Sequence, residues 1–369
     1  MAVDPRQQEV LRELRTVQDP DLHRDLVSLG FIQNLTIEGQ RVAFTINLTT
    51  PACPVRDELQ AQAEQAVRRL PWVSEVAVDM QATTRTGRGG GSNEQLIPRV
   101  KNVVAVASGK GGVGKSTTSV NVALALADSG ARVGLLDCDI YGPNVPMMMG
   151  IREKPQLLSE GGKIVPCRSY GIKVMSIGFF LDEENPVIWR GPMVHGAIQQ
   201  FLRDVDWGEL DYLVIDLPPG TGDAPLSLSQ LIPLSGAVIV TTPQDVALQD
   251  VAKGMSMFRR LEVPVLGVIE NMSYFICPNC SEKHEIFGRG GGERIAKQFE
   301  VPFLGQVPLH PRVREGGDAG RPVIVTDPEM PESVAFRHVA GEIARQVSIL
   351  AVAGEEGGFV PAMTLTLKK

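Results

Sequence analysis

Apolar and polar positions change rhythm several times along the chain, and each change predicts an element. Apolar residues recur at helical spacing over residues 5–17. Val42, Phe44, Ile46 and Leu48 then alternate, as a strand with one buried face requires. Val55, Leu59, Ala63, Val67 and Leu70 return to helical spacing, and Val76, Val78 and Met80 alternate again. Residues 1–80 therefore predict a small α+β domain. The stretch 81–98 contains Gly87-Arg88-Gly89-Gly90-Gly91-Ser92-Asn93, the composition of a flexible linker.

From Val100 onward the signal is different. Short continuous apolar runs at 103–107, 132–137, 212–216, 237–241, 265–270 and 303–307 are mostly separated by helical patterns. Continuous runs predict strands buried on both faces, hence a mostly parallel α/β sheet covered by helices. Ligands of such sheets bind at the carboxyl ends of the strands. An insertion at 151–210 predicts a hairpin pairing 163–166 with 172–176, then a helix at 191–205. The second domain is expected over 99–350. The tail 351–369, with Gly354, Gly357, Gly358 and Pro361, is expected to be disordered.

Composition narrows the function. A net charge of −7 over 369 residues argues against a broad nucleic-acid surface. Residues 1–5 have neither the basic nor the apolar region of a secretory signal. The uncharged stretch 224–244 is broken by prolines and polar residues, so it predicts a helix and a buried strand rather than a membrane span. No nucleic-acid or membrane partner is expected. Five cysteines in such a chain point to a reducing cytoplasm, where cysteines more often serve metal or redox chemistry than disulfides.

The chemistry starts at Gly109-Lys110-Gly111-Gly112-Val113-Gly114-Lys115-Ser116-Thr117, between a strand candidate and a helical pattern. It fits the phosphate-loop pattern G-x-x-x-x-G-K-[ST], in which backbone N–H groups wrap the phosphates of ATP. Lys115 would reach the β and γ phosphates, and the Ser116 hydroxyl would bind Mg²⁺. The helix N-terminus behind the loop also favours an anion. Gly109, Gly111 and Gly114 also spell the dinucleotide fingerprint G-x-G-x-x-G, with Asp137 in place for a ribose. Lys115-Ser116, the pair Asp137 and Asp139, and a second acidic strand end at Asp216 decide for the triphosphate. One of Asp137 and Asp139 can orient a Mg²⁺ water while the other positions the attacking water, a role given to Asp139. Asp216, before Leu217-Pro218-Pro219-Gly220-Thr221-Gly222-Asp223, suits Mg²⁺ held through water, in a loop able to follow the γ-phosphate.

Lys110 is not required by the phosphate loop. With it, the loop resembles the deviant Walker A of MinD/ParA-type ATPases. The runs Asp137-Cys138-Asp139-Ile140-Tyr141-Gly142-Pro143-Asn144, Asp216 to Asp223 and Glu270-Asn271-Met272-Ser273 narrow the likeness to the Mrp/ApbC branch of iron–sulfur cluster carriers. The resemblance implies that Lys110 contacts the nucleotide of a partner subunit, so that ATP supports a homodimer. It also implies that Asn271, and more distantly Pro308, meet the adenine. Residues 1–80, with Asp19-Pro20-Asp21-Leu22 and Thr49-Thr50-Pro51-Ala52-Cys53-Pro54, look like a small domain of iron–sulfur assembly factors. Cys53 would then hand over a cluster or contact a partner, or be a packed, inert thiol.

Cys277-Pro278-Asn279-Cys280 offers two thiolates, whereas zinc or an iron–sulfur cluster takes four ligands. A two-fold dimer supplies four. The resemblance implies a [4Fe–4S] cluster bridging Cys277 and Cys280 of both subunits. His284 keeps open a Cys₂His zinc site within one chain. The expected function is an ATP-hydrolysing carrier that passes an iron–sulfur cluster to apoproteins, with cluster assembly proteins as further partners. The alternative is a MinD/ParA-like positioning or regulatory ATPase with a structural zinc site.

Overall fold

The computed structural model describes residues 4–86, 96–157, 162–181, 191–220 and 222–355. The chain forms two compact units, Met1–Arg85 and Thr86–Lys369.

In the first unit, helices Pro5–Leu14 and Arg56–Val67 pack with a three-stranded sheet. Its central strand, Arg41–Leu48, runs antiparallel to Ile32–Glu38 and parallel to Glu75–Ala82. Val10, Leu14, Phe44, Ile46, Leu59 and Val67 fill its core. Asp4 caps the first helix by accepting from the Arg6 N–H, and Pro5 follows where a missing N–H costs nothing. That helix ends at Leu14, short of the expected 17, because Val17 leaves it and its carbonyl accepts from the Leu26 N–H instead. The strand Ile32–Glu38 has no counterpart in the periodicity. A register shift between Gln33 and Thr36, with Asn34 at φ 51°, breaks its alternation.

The second unit is built on a nine-stranded sheet. Across it run Cys167–Ser169, Ile172–Ser176, Val133–Asp137, Leu210–Asp216, Val100–Ser108, Gly236–Thr241, Val265–Ile276 and Lys283–His284, with Phe303–Leu309 also on Val265–Ile276. The inner pairs are parallel, and the two hairpins, Cys167–Ser169 with Ile172–Ser176 and Val265–Ile276 with Lys283–His284, are antiparallel. The expected strands lie inside these ranges, apart from Arg132 just outside.

The insertion pairs differently from expectation. Ile164–Val165 pairs with Gln156–Leu157, and Ile172–Ser176 pairs with Cys167–Ser169. Tyr170 and Gly171, at φ 47° and 82°, form the two-residue turn between the latter strands, the geometry that matches strand twist. Ile172–Ser176 is also a full member of the sheet, parallel to Val133–Asp137. The helix Pro331–Glu355 packs on Lys115–Asp128 and Phe303–Leu309. It continues past 350 because Ala351 and Val352 are buried, so the beginning of the expected tail is helix. The rest of that tail, 356–369, and linker residues 87–95 lie outside the described residues. Among the described residues, no helix is long and apolar enough to cross a membrane.

Candidate nucleotide and metal sites

Two sites lie at the carboxyl ends of the parallel strands. The first is the loop between Val100–Ser108 and the helix Lys115–Asp128. Gly112 and Gly114 both take φ 81°, which only glycine adopts freely. A Cβ on Gly114 would stand 2.2 Å from the Asn271 amide nitrogen, and one on Gly109 2.4 Å from the Asp250 backbone. Close approach thus fixes Gly109, conformation fixes Gly112, and both fix Gly114. The Ser108 hydroxyl donates to the Lys110 carbonyl at 2.9 Å, pinning the start of the loop.

Lys115 is only 6% exposed, so its charge needs partners. Its Nζ lies 2.9 Å from Asp216 Oδ1 and 3.4 Å from Asp139 Oδ2. It also donates to Ser116 Oγ at 3.2 Å. Asp216 accepts from Ser116 Oγ at 2.6 Å and from Ser119 Oγ at 2.7 Å. Asp137 accepts from the Asp139 N–H at 3.0 Å, the Val145 N–H at 3.3 Å and Ser176 Oγ at 2.9 Å. Burial, and then the neighbouring Asp216 charge, push the Asp137 carboxyl well above the usual range. Asp139 Oδ1 accepts from the N–H groups of Tyr141 and Gly142. The Lys115 ammonium thus lies between two buried carboxylates, Asp139 and Asp216, with the buried Asp137 carboxyl beside Asp216. Hard oxygen donors carrying surplus negative charge beside the Ser116 hydroxyl fit Mg²⁺.

Cys138, between the two aspartates, is buried, and burial followed by the Asp137 charge pushes its thiol up. The Gly220 N–H donates to the Ser108 carbonyl at 2.9 Å, tying the loop after Asp216 to the root of the phosphate loop. Thr221 lies outside the described residues. Lys110 is half-buried and has no ion-pair partner among the described residues. The Asn271 amide donates to the Val113 carbonyl at 2.8 Å, so it braces the loop itself. Pro308 is buried in the adjoining strand, where Val307 pairs with Asn271. Sequence reasoning missed Ser119 and Ser176. Ser119 stands three residues after Ser116 on one helix face, a spacing that could have signalled it. Ser176 is placed only by its pairing with Asp137, a contact no local pattern reveals.

The second site is the tip of the hairpin at the end of Val265–Ile276. The Cys277 N–H donates to the Glu282 carbonyl at 3.0 Å and the Ser281 N–H to the Cys277 carbonyl at 2.8 Å. These bonds close the turn over Pro278-Asn279, with Ser281 at φ 59°. One ligand atom each from Cys277, Cys280 and His284 lies within 4.8 Å of the others. The N–H of Cys280, then that of Asn279, and then the Cys280 side chain hold the Cys277 thiol below its usual range. Cys53 is half-buried in the first unit, near that unit's core.

The parallel sheet, the phosphate loop at a helix N-terminus and the strand-end aspartates define a P-loop nucleotide-binding protein. More specifically, the chain belongs to the family described as NUBPL iron-transfer P-loop NTPase, whose profile matches residues 99–344. A second profile, iron-sulfur cluster assembly protein, matches residues 7–79. The chain is 50% identical over 347 residues to the iron-sulfur cluster carrier protein of Synechocystis, covering 93% of this chain and 98% of that one. It is 52% identical over 269 residues to the iron-sulfur cluster transfer protein NUBPL of Mus musculus, covering 72% and 84%. A nucleotide-binding protein of Archaeoglobus fulgidus, solved in complex with ADP, matches with TM-score 0.58 and 39% identity over 66% of this chain and 96% of that one.

Proposed function

We propose that the chain binds and hydrolyses ATP at the phosphate loop and carries an iron–sulfur cluster on Cys277 and Cys280, delivering it to apoproteins. The observation that carries this reading is the thiol pair at the tip of the hairpin, at the end of the strand whose Asn271 braces the phosphate loop. The relatives named as carriers support it along nearly the whole chain. We assign the phosphates to the N–H groups from Gly109 through Thr117 and to Lys115, and Mg²⁺ to Ser116 and Asp216, with Asp137 behind them. When bound, Mg²⁺ supplies charge neutralisation of the phosphate oxygens. Asp139, already fixed by two backbone N–H groups, positions the attacking water.

Lys110 extends to the nucleotide of a second chain, and the base lies toward Asn271 and Pro308. In that homodimer two Cys277/Cys280 pairs supply four thiolates, the set that holds a [4Fe–4S] cluster. The first unit serves transfer between this carrier and cytoplasmic assembly or acceptor proteins. The division into a unit of residues 1–80, a linker and an ATPase domain from 99 onward fits this arrangement. The test is transfer. Anaerobically reconstituted protein is mixed with an apo [4Fe–4S] acceptor enzyme, with and without Mg²⁺ and ATP, and acceptor activity is followed. Activation is the expected result. An acceptor that gains no activity beyond that given by free iron and sulfide contradicts the reading.

A further inference from the structure

The Cys277–Cys280 turn does not present two thiols alone. In the hairpin, Phe275 pairs with His284 and Ile276 with Lys283. Alternation puts Tyr274, Ile276 and Lys283 on one face, and Phe275, Cys277 and His284 on the other. The Lys283 ammonium lies 4.5 Å from the centre of the Tyr274 ring, which holds that side of the hairpin in place. His284 is thereby turned toward the thiols. It is exposed, and no hydrogen bond or ion pair among the described residues draws its imidazole elsewhere.

We propose that each chain by itself forms a three-ligand chelate for one thiophilic divalent cation such as Zn²⁺, Fe²⁺ or Co²⁺, from the Sγ atoms of Cys277 and Cys280 and one imidazole nitrogen of His284. This rests on the reading of Cys277 and Cys280 as metal ligands. It adds to that reading a nitrogen donor and a cargo that requires no second chain. The three ligand atoms lie within 4.8 Å of one another. Around a tetrahedral ion with ordinary metal–sulfur and metal–nitrogen distances they would stand roughly 3.5–4 Å apart. Small rotations close that difference, and Cys280 and His284 are exposed and free to make them. Two sulfurs and an imidazole suit these cations, and three protein ligands leave a fourth position for solvent or an incoming donor. A single-chain cation and a bridging cluster use the same thiolates and exclude each other. His284 therefore separates two loading states of one hairpin.

Cobalt titration of the reduced full-length protein, anaerobic and without nucleotide, reads this directly. Thiolate-to-cobalt charge-transfer and visible d–d bands report the ligand set. The parent saturates at about one Co²⁺ per chain, as a single-chain chelate requires, rather than one per two chains as a four-thiolate bridge does. His284→Ala weakens binding by more than the roughly 10- to 100-fold that loss of an outer-shell partner costs, and shifts the d–d bands. His284→Cys keeps one Co²⁺ per chain with stronger charge transfer. A His284→Ala protein with the parent's stoichiometry, affinity and spectrum overturns this inference and leaves the cluster reading standing. A Cys277→Ala/Cys280→Ala protein that binds Co²⁺ like the parent overturns both.

Discussion

The two sites lie on the same strand, Val265–Ile276, yet they are built in opposite ways. Around the phosphate loop, Lys115, Asp137, Asp139 and Asp216 are buried and their polar atoms are satisfied by other atoms of the same chain. At the hairpin tip the ligand atoms stand at or near the surface, and two backbone hydrogen bonds close the turn. A cradle for a charged substrate has to be set before the substrate arrives, because reorganising buried charges is expensive. A site that releases its cargo gains from exposed, adjustable ligands. Asn271 joins the two designs, reaching the Val113 carbonyl six residues before Cys277 begins the turn.

The contrast is sharpest among the cysteines. Cys138 is buried with its thiol pushed up, whereas Cys277 is partly exposed with its thiol held down. Since the thiolate is the nucleophile, iodoacetamide at neutral pH should label Cys277 to completion while Cys138 in the native protein stays unmodified. Peptide mass analysis reads this, and labelling of Cys138 at a comparable rate would erase the distinction.

Lys115→Ala probes the buried side next. Loss of one charge-stabilising group should reduce ATP turnover by about 100-fold or more. The stranded carboxylates should also cost the nucleotide-free protein about 3–5 kcal/mol of stability, seen in thermal or denaturant melts. Cobalt binding at the hairpin, which requires no second chain, should persist in any variant that remains folded. If turnover barely changes, the cradle is misassigned.

Gly114→Ala acts on geometry alone. A left-handed alanine costs about 1–2 kcal/mol and its methyl would displace Asn271, so nucleotide affinity should fall by about 10-fold. Isothermal titration with ATP analogues measures it, and unchanged affinity would show that the loop relaxes freely. Asn271→Ala is the mildest of the set. It leaves the Val113 carbonyl without its donor, worth about 1 kcal/mol of stability in denaturant titration. No measurable change would mean that Asn271 does not brace the loop.

What could be read from sequence follows the same divide. The phosphate loop was legible because its chemistry needs contiguous residues, and the inner strands because burial on both faces leaves unbroken apolar runs such as Val103 to Ala107. Ile32–Glu38 was hidden by its bulge. The membership of Ile172–Ser176 in the sheet was hidden because its parallel partner, Val133–Asp137, lies far away in sequence and leaves no local signal. Lys283–His284 is a two-residue polar strand with no hydrophobic signature at all. His284 could be suspected from spacing, but only the pairing with Phe275 turns it toward the thiols.

The central claim is that Cys277 and Cys280 hold the cargo. Parent and Cys277→Ala/Cys280→Ala proteins are reconstituted anaerobically with iron and sulfide, desalted and assayed for both elements, with ATP binding measured in parallel. A four-iron cluster shared by two chains predicts about two iron and two sulfide per parent chain, and none in the variant, with ATP affinity unchanged. A variant that keeps as much iron and sulfide as the parent contradicts the account.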